Sequence, residues 1–445
     1  MFNPEMETLA PDKLQALQQQ RLQATLERVY HNVPFYKTML DAKQLKPEQL
    51  RTETLHQLPF TYKDDLRQHY PFGLCAVPQE QLRRVHGSSG TTGKPTIVAY
   101  TANDIDLFAE VNARCLAAAG GKPGMLFHNA YGYGLFTGGL GLHYGAERLG
   151  MAVVPVSGGM TDRQLTLIHD LQPKLIACTP SYAQTLGEAF KEQGVTPEEI
   201  SLEYGILGAE PWTNSIRNDV QASLGIRATN IYGLSEIIGP GVSNEDVLEQ
   251  EGSYIWEDHF YPEIVDPNSG EPLPEGEAGV LVITTLSKEA LPLLRYWTGD
   301  ITTLTRQPGS SGRTHARMGM IMGRSDDMLI IRGVNVYPTQ IEAALEGLEA
   351  VARHYQLVVR RERTMDTLEL KLELAQETLA SQGLERLHPD EVANHASLQP
   401  LQQEVSRRIK DRVGISVDVT LLAPGEVPRS AGGKLRRIVD ERQLG

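Results

Sequence analysis

The sequence predicts an α/β fold, with a large N-terminal domain of parallel and mixed sheets covered by helices and a small α+β C-terminal domain. Three patterns carry this prediction. Between residues 85 and 300, short apolar segments alternate with amphipathic ones, which is typical of parallel strands covered by helices. The segment 261–286 contains the turn sequences Asn-Ser-Gly and Pro-Glu-Gly and predicts a β-rich subdomain of hairpins. Residues 326–445 combine short strands with helices, which suffices for a second, smaller domain.

The first sixty residues predict helix. Within 14–33 the apolar residues fall on roughly one helical face, and they are Leu14, Leu17, Leu22, Leu26 and Val29. Pro34 ends this helix, and a second short helix is predicted near 47–58. We therefore assign residues 1–84 to a helical segment of the large domain.

In the core of the large domain, residues 85–325, the alternating pattern locates individual elements. The strand candidates are TIVAYT, MAVVPV, PKLIACT, YGILG and ATNIYG, at 96–101, 151–156, 173–179, 204–208 and 228–233. Helices are predicted at 104–120 and 161–172. In the C-terminal domain, residues 326–445, strands are predicted at 328–333, 354–362, 368–375 and 417–424, and helices near 338–349 and 399–413. The polar run at 323–327 marks the boundary between the two domains.

Composition excludes several classes of protein. The 445 residues carry 42 Lys+Arg against 56 Asp+Glu, a net charge of −14, which disfavours nucleic-acid and membrane-surface partners because both are anionic. The three cysteines, Cys75, Cys115 and Cys178, form no C-x-x-C pair, so we expect neither a disulfide framework nor a zinc site made of cysteine alone. The N-terminus lacks a signal-peptide pattern, and the uncharged stretch 123–146 is too rich in glycine for a membrane helix. We expect a cytoplasmic protein.

The most informative segment is VHGSSGTTGKPTIVAYT, at 85–101. Between Ser88 and Pro95, hydroxyls, glycines and one lysine supply the donors and the charge that bind phosphate oxygens. The segment differs from a Walker A loop, which needs glycine at position 88 and serine or threonine at position 95. Because a strand is predicted at 96–101, phosphate would be held by a strand-to-strand loop rather than by a helix N-terminus. An ordinary turn is the alternative, and the combination of donors argues against it.

Four further segments are weak when each is taken alone. In NIYGLSEIIGPG a strand ends at Tyr-Gly and Glu236 follows at the expected start of a helix, where a carboxylate near phosphate suits Mg²⁺. In LRYWTGDI, Asp300 on a glycine turn after a strand could accept hydrogen bonds from ribose hydroxyls. The run IMGRSDD is either a hinge or a plain linker. Lys434 follows two glycines near the C-terminus and is either a point charge for a phosphate or a solvated side chain.

Together, in this order and spacing, these segments resemble the adenylate-forming superfamily of acyl-CoA synthetases, carrier-protein adenylation domains and luciferases. The matching stretches run from about 86 to 434 and are SSGTTGKP, YGLSE, TGD, GRSDD and the late GK. Longer stretches resemble the phenylacetate–CoA ligase family, namely HGSSGTTGKPT, NAYGYGLFTGGLGLHYGAERLG, VPVSGGMT, TPSYAQTL, GAEPW, IYGLSEIIGPGV, IWEDHFYPEI and GRSDDMLIIRGVNVYPTQIE. The resemblance implies an adenylation core followed by a mobile C-terminal domain.

The resemblance also implies a role for each matching residue. The loop that would wrap the β- and γ-phosphates of ATP consists of Ser88, Ser89, Gly90, Thr91, Thr92, Gly93 and Lys94. Further ATP-binding residues would be Gly208, Ala209, Glu210, Pro211, Tyr232, Gly233, Ser235, Asp300 and Arg324, with Asp300 on the ribose hydroxyls. The aromatic acid would lie against Tyr131, Tyr133, Phe136, Gly208 and Pro240. The catalytic residues would be Lys434 and the Mg²⁺ ligand Glu236, the hinge would be Asp326, and the CoA tunnel would be lined by Gly333, Val334 and Asn335.

The chain departs from the family pattern at two places. Family members often carry cysteine after GPGV, sometimes in a zinc site, but the stretch SNEDVLEQEGSYIWEDHF has none. We therefore expect no zinc there and a structural role for His259. Many relatives have Arg-Thr-Arg-Asp where this chain has Trp-Thr-Gly-Asp, which leaves Asp300 in place.

The activity implied by the resemblance is the ATP-dependent ligation of phenylacetate to coenzyme A through a phenylacetyl-adenylate. ATP, Mg²⁺ and coenzyme A would be required, AMP and pyrophosphate would be released, and a homodimer without nucleic-acid or membrane partners is expected. Alternatives of the same fold are a CoA ligase for hydroxyphenylacetate, benzoate or anthranilate, a ligase that uses a carrier protein, and an adenylyltransferase acting on a deazaflavin cofactor. The alternative of a different class is a non-catalytic sensor of nucleotide or acyl-adenylate.

Overall fold

The computed structural model describes most of the chain, namely residues 1–88, 95–325, 329–331, 334–362, 365–381, 387, 395, 397–428 and 437–441. The chain divides into two compact units. The first unit consists of Met1–Ala209 and Val220–Ile321, and the second of Glu210–Asp219 and Met322–Gly445. In the part of the chain that the structure describes, no helix is both long enough and apolar enough to cross a membrane.

Among the described residues, nine helices lie at or before residue 224. They are α1 (Pro4–Glu7), α2 (Pro11–Asn32), α3 (Pro34–Ala42), α4 (Lys63–Gln68), α5 (Ala102–Ala118), α6 (Thr137–Leu149), α7 (Thr161–Leu171), α8 (Pro180–Glu192) and α9 (Asn214–Leu224). Short 3-10 turns lie at Pro47–Gln49, Thr52–Gln57, Gln79–Gln81 and Pro197–Glu199. The start of α5 shows why a helix forms there: Thr101 Oγ1 accepts from Asp104 N at 3.1 Å, while Asp104 Oδ2 accepts from Thr101 N at 2.9 Å. This reciprocal cap satisfies two backbone donors that a helix terminus otherwise leaves unpaired.

The centre of the first unit is a nine-stranded mixed sheet. Its strands in chain order are β3 (Leu126–Asn129), β4 (Ala152–Val154), β5 (Leu175–Cys178), β6 (Tyr204–Gly208), β7 (Arg227–Leu234), β8 (Gly239–Glu245), β9 (Ser253–Ile255), β13 (Leu304–Thr305) and β14 (Arg317–Met318). From β4 through β3, β5 and β6 to β7 the strands are parallel, and from β7 through β8, β9 and β14 to β13 they are antiparallel. The parallel half is the part in which helices return the chain to the same edge of the sheet.

Two smaller sheets complete the first unit. A hairpin-like pair is formed by β1 (Arg84–Gly87) and β2 (Ile97–Tyr100), which are antiparallel. A second antiparallel sheet contains β10 (Phe260–Val265), β11 (Gly279–Thr285) and β12 (Tyr296–Thr302) in chain order. The apolar residues of α2, α3, α5 and α6 and of these sheets form one continuous core around fully buried side chains such as Trp256 and Phe127.

The second unit has its own core and its own sheet. Its remaining elements are β15 (Gly323–Arg324), β16 (Leu329–Ile331), β17 (Val334–Val336), α10 (Pro338–Leu345), β18 (Val351–Glu362), β19 (Met365–Leu374), α11 (Gln376–Ser381), α12 (Leu398–Val413), β20 (Asp418–Leu422) and β21 (Ile438–Asp440). The sheet has the order β20-β19-β18-β21, and α10 and α12 contribute to the same core as its buried residues.

The strand predictions are confirmed: each of the five apolar segments of the large domain and each of the four in the C-terminal domain contains a strand of the structure. The helices predicted at 104–120, 161–172, 338–349 and 399–413 are also confirmed, with bounds that differ by a few residues. The helix predicted near 47–58 is wrong in type, because two 3-10 turns stand there.

Helix α6 was not predicted, because its glycines weaken helix propensity. The structure shows what these glycines do instead. A Cβ added at Gly141 would lie 2.3 Å from Phe108, and one added at Gly145 would lie 2.5 Å from Asn112 Cβ. The glycines therefore let α6 pack directly against α5, a gain that local sequence patterns do not reveal.

Candidate active site

The candidate site lies at the carboxyl edge of the parallel strands. Gly208 is the last residue of β6, and Ala209 after it has φ of +71°, so the backbone turns sharply as it leaves the sheet. A Cβ added at Gly208 would lie 2.1 Å from the carbonyl oxygen of Ile231 in the neighbouring strand, so only glycine fits there. Tyr232 and Gly233 lie in β7, beside β6. Ligands of open α/β sheets bind outside this edge.

A tight turn joins β7 to the antiparallel β8 and carries Ser235 and Glu236. The predicted helix at Glu236 is therefore wrong, because the chain reverses within four residues instead of starting a helix. Gly233 makes the reversal possible, since a Cβ there would lie 1.9 Å from the oxygen of Gly239. Ser235 Oγ lies 3.2 Å from Thr137 Oγ1, which joins the turn to the start of α6.

Glu236 supplies the carboxylate of the turn and is buried, with 3% of its surface exposed. Its Oε1 lies 3.0 Å from Nζ of Lys63, at the start of α4, and its backbone oxygen accepts from Nζ of Lys288 at 3.1 Å. The sequence analysis missed both lysines. Lys288 stands between Ser287 and Glu289 in LSKEALPLL, so no local pattern marks it as a buried residue.

The chemistry of this donor set fits Mg²⁺ bound together with a nucleotide. Mg²⁺ commonly takes one or two carboxylates and completes its shell with phosphate oxygens and water. Within the described ranges, no group of three His, Cys, Asp or Glu side chains is placed to hold a metal by itself. Glu236 offers one carboxylate with hard oxygen donors, which suits a metal that arrives with phosphates.

Asp300 and Tyr232 lie together. Tyr232 donates its hydroxyl to Asp300 Oδ2 at 2.6 Å, and Asp300 N donates to Thr298 Oγ1 at 3.0 Å. Asp300 was predicted on a turn after a strand, which is wrong: it lies inside β12, and Gly299 before it has φ of +80°. The positive φ lets the strand present a largely buried carboxylate next to the Tyr232 hydroxyl, which is a suitable acceptor for ribose hydroxyls.

The loop after β3 carries the aromatic residues predicted for the acid. Tyr131 is 7% exposed, whereas Phe136, the residue before α6, is 48% exposed. The Tyr133 hydroxyl accepts from Asn129 Nδ2 at 2.8 Å and lies 3.1 Å from His143 Nδ1. Burial raises the pKa of Tyr133 to about 12, so this hydroxyl stays neutral at physiological pH.

Helix α6 packs against both this loop and Pro240. A Cβ added at Gly138 would lie 3.7 Å from Tyr131, and one added at Gly141 would lie 3.0 Å from Pro240. Pro240 itself lies in β8, and its carbonyl oxygen accepts from Asn112 Nδ2 at 2.9 Å. Of the residues predicted for the aromatic acid, Tyr131, Phe136 and Pro240 therefore lie close to the first turns of α6, whereas Gly208 lies at the end of β6.

The predicted phosphate loop connects β1 to β2, in agreement with the predicted strand-to-strand loop. Ser88 N donates to the Thr96 carbonyl at 3.0 Å, while 89–94 lie outside the described residues. Gly87 N and His86 Nδ1 each lie 3.0 Å from the carbonyl oxygen of Leu135. The base of the phosphate loop is therefore joined to the loop that carries the aromatic residues, through a histidine that sequence reasoning missed.

Several predicted site residues belong to the second unit or lie outside the described residues. Glu210 and Pro211 group with the second unit, although Gly208 and Ala209 belong to the first. Arg324 lies in β15, and Val334 and Asn335 lie in β17. Asp326, Gly333 and Lys434 are outside the described residues.

Comparisons with known proteins agree with this geometry. The family described as AMP-binding enzyme matches residues 8–287, and the AMP-binding enzyme C-terminal domain matches 333–442. The phenylacetate-coenzyme A ligase of Thermus thermophilus is 62% identical over 444 residues, covering 100% of both chains. That of Escherichia coli is 50% identical over 441 residues, covering 99% of this chain and 97% of its own.

The fold has a counterpart among solved structures. A crystal structure of 2-hydroxyisobutyryl-CoA ligase matches with a TM-score of 0.89 at 28% identity, covering 98% of this chain and 92% of that one. The predicted two-domain fold is thus confirmed as the adenylate-forming enzyme fold. The chain belongs to the AMP-binding enzyme family and, within it, to the phenylacetate-coenzyme A ligases.

Proposed function

We propose that this chain ligates phenylacetate to coenzyme A through a phenylacetyl-adenylate, and releases AMP and pyrophosphate. The observation that carries the proposal is the 62% identity, over the full length of both chains, to the phenylacetate-coenzyme A ligase of Thermus thermophilus. The juxtaposition of Tyr232 with Asp300, and of the aromatic loop with the base of the phosphate loop, supports it. A cytoplasmic homodimer completes the proposal, and sedimentation velocity tests the dimer.

Adenylate formation needs charge compensation rather than a general base. The nucleophile is a carboxylate oxygen, which is already anionic and attacks the α-phosphorus of ATP while the bond to pyrophosphate breaks. Repulsion between the acid and the triphosphate is the obstacle, and positive charge and hydrogen-bond donors offset it. In the proposal, the loop from Ser88 to Lys94 binds the β- and γ-phosphates, Asp300 accepts from the ribose hydroxyls, and Lys434 supplies charge at the reacting phosphate.

Glu236 would hold Mg²⁺, which supplies Lewis-acid stabilisation of the phosphate oxygens when it is bound. Two features of the chain act on the Glu236 carboxylate itself. The turn from Ser235 to Ile238 fixes the direction of the Glu236 carboxylate, and Lys63 neutralises that carboxylate at 3.0 Å. This ion pair holds Glu236 Oε1 at one position beside α4.

Thioester formation is the second step of the proposed reaction. The thiolate of coenzyme A attacks the carbonyl carbon of the adenylate, the bond to AMP breaks, and AMP leaves as an anion. We propose that Asp326 is the hinge about which the C-terminal domain turns between the two steps. Gly333, Val334 and Asn335 would then line the tunnel that receives the pantetheine arm.

The experiment that tests the proposed function is mass detection of the products formed by the purified protein. ATP, Mg²⁺ and coenzyme A are supplied with phenylacetate, or with hydroxyphenylacetate, benzoate or anthranilate. Phenylacetyl-CoA and AMP, formed in clear preference to the other thioesters, support the proposal. Thioester from another acid corrects the substrate, adenylate without thioester indicates another acceptor, and no nucleotide turnover with any acid indicates a sensor.

The role of Lys434 gives a separate prediction. Lys434→Ala should lower the rate of adenylate formation by about 100-fold or more, because a positioned charge at the reacting phosphate is lost. Thioester formation from chemically prepared phenylacetyl-adenylate should be largely retained. The two half-reactions are measured separately by pyrophosphate release and by thioester formation.

Lys410→Ala is the matched control, because Lys410 is an exposed lysine in the last turn of α12. It should leave both half-reactions unchanged. Equal losses of the two half-reactions in Lys434→Ala would contradict the assignment of Lys434 to the adenylation step.

A further inference from the structure

A buried cation lies behind the turn that carries Glu236. Lys288, three residues after the end of β11, has only 1% of its surface exposed. Its Nζ donates to the backbone oxygen of Glu236 at 3.1 Å and lies 5.1 Å from the ring centroid of Tyr100. Across the described part of the chain, no carboxylate oxygen lies within 4.0 Å of this ammonium group. The charge is therefore buried without a direct ion pair.

The carboxylate whose charge acts most on Lys288, that of Asp104, accepts three backbone hydrogen bonds. Asp104 accepts from Glu289 N at 2.7 Å and from Ala290 N and Thr101 N at 2.9 Å each. Two of these bonds hold the backbone of residues 289 and 290, directly after Lys288, and so limit the directions that the lysine side chain can take. Asp104 acts on Lys288 at longer range, as a charge rather than as a hydrogen-bond partner.

Burying an ammonium group in this way is costly to the folded state, because water is lost and one carbonyl and one ring replace it. A methionine would fill the same space without that cost. Stability of the fold therefore gives no reason for a lysine at position 288.

A second buried donor acts on the same turn. The Tyr100 hydroxyl, on β2, donates to the carbonyl oxygen of Ile238 at 2.9 Å, and Tyr100 is fully buried. Lys288 and Tyr100 thus bind the carbonyl groups of residues 236 and 238 in a four-residue turn. With both carbonyl groups held, the turn has little freedom to redirect the Glu236 side chain.

We infer that Lys288 and Tyr100 are positioning residues that hold the Ser235–Ile238 turn so that the Glu236 carboxylate points at the metal–nucleotide site. The inference rests on the proposed function of Glu236. It assigns the buried charge of Lys288 to the adenylation step rather than to folding.

The test compares Lys288→Met and Tyr100→Phe with the unchanged protein. Three quantities are measured: the affinity for ATP by calorimetry with and without Mg²⁺ and without any acid, the rates of the two half-reactions, and the midpoint of thermal unfolding. Tyr254→Phe is the matched control, because Tyr254, on β9, is a buried tyrosine whose hydroxyl donates to Glu249 Oε2 at 2.8 Å. Tyr100→Phe keeps the test decisive if the methionine variant does not fold.

The inference expects loss of the Mg²⁺-dependent part of the ATP affinity, and adenylation slower by about 10- to 100-fold, in both variants. Thioester formation from prepared adenylate should stay within about twofold, and the unfolding midpoint of Lys288→Met should fall by no more than about 2 °C or should rise. Tyr254→Phe should leave the Mg²⁺ dependence unchanged.

A large fall of the unfolding midpoint with an unchanged Mg²⁺ effect would overturn the inference, since it would show a merely structural role. The same holds if ATP binding by the unchanged protein does not respond to Mg²⁺. Absence of phenylacetyl-CoA from the unchanged protein would instead overturn the proposed function, and the calorimetric comparison would still decide the role of Lys288.

Discussion

Two cations buried near opposite ends of helix α5 are balanced in different ways. At the C-terminal end, Arg114 makes a bidentate pair with Asp258 at 2.8 and 3.0 Å, and its Nε donates to Glu110 at 2.6 Å. At the N-terminal end, about 15 Å away along the helix axis, Lys288 has a carbonyl oxygen and an aromatic ring as its contacts. Arg114 is thus paired with two carboxylates, whereas Lys288 has no direct ion pair among the described residues.

The surroundings shift the pKa values of these two groups in opposite directions. Burial by itself lowers the pKa of Arg114, but the charges of Asp258 and Glu110 outweigh burial and raise it above its usual range. For Lys288, burial prevails over the more distant Asp104 and lowers the pKa to about 8. Arg114 is therefore stabilised in its charged form by its partners, whereas the charge of Lys288 is disfavoured by its surroundings.

Removal of the paired cation should have the largest effect. Arg114→Met removes the bidentate partner of Asp258 and leaves only the longer contacts of this carboxylate to His259 and Arg21, at 3.1 and 3.5 Å. It should lower the free energy of unfolding by about 3–5 kcal/mol. Chemical denaturation followed by tryptophan fluorescence measures it, because the Trp256 ring lies 5.6 Å from the Arg114 guanidinium. The adenylation rate per folded molecule should not change.

The control for this variant is Arg148→Met on α6, where the arginine is 41% exposed and lies 3.6 Å from Asp106. Its effect on unfolding should be far smaller, because an exposed ion pair is screened by solvent. If Arg114→Met instead lost the Mg²⁺-dependent ATP affinity, as expected for Lys288→Met, the two ends of α5 would not differ in the way described.

A smaller effect is expected in the pH dependence of the free energy of unfolding, through the carboxyl group of Asp258. Burial by itself raises the pKa of Asp258, but the charges of His259 and Arg114 outweigh it and hold the pKa well below its usual range. A carboxyl with a lowered folded-state pKa contributes stability above its unfolded pKa of about 4, and this contribution is lost as the pH falls toward the folded value.

The destabilisation of Asp258→Asn relative to the unchanged protein should therefore shrink by roughly 2 kcal/mol between about pH 6 and pH 2. Denaturant titrations of both proteins at several pH values measure the difference. A difference that stays constant over this range would mean that Asp258 has no lowered pKa in the folded protein.

Much of the fold could be predicted, because hydrophobic periodicity is a local signal. The strands of the parallel half have continuous apolar runs, so YGILG and PKLIACT were identified as strands directly. The helix α6 was not, because its formation depends on the close approach of Gly141 and Gly145 to α5, which local sequence does not show.

The residues of the candidate site also fall into those that local sequence reveals and those that it does not. Motif residues such as Asp300 and Glu236 could be selected from residue type and spacing, although the local structure around both was predicted wrongly. Lys63 and Lys288 could not, because they reach Glu236 from segments 173 positions before it and 52 positions after it in the chain. Only the folded chain brings both lysines to the same residue, Lys63 to its carboxylate and Lys288 to its backbone oxygen.

The smallest expected effect comes from an exposed ion pair in the second unit, which contrasts with the buried pair of Arg114. Arg407 on α12 donates to Glu404 at 2.8 Å and to Asp411 at 3.0 Å, yet 61% of its side chain is exposed. Water screens these pairs, and holding long side chains in one geometry costs entropy, so Arg407→Ala should leave the denaturation midpoint unchanged within error at high salt. Measurements at low and high salt check this expectation. A loss as large as that of Arg114→Met, independent of salt, would show that pairing itself, and not pairing inside the core, is what makes a charge in this fold stabilising.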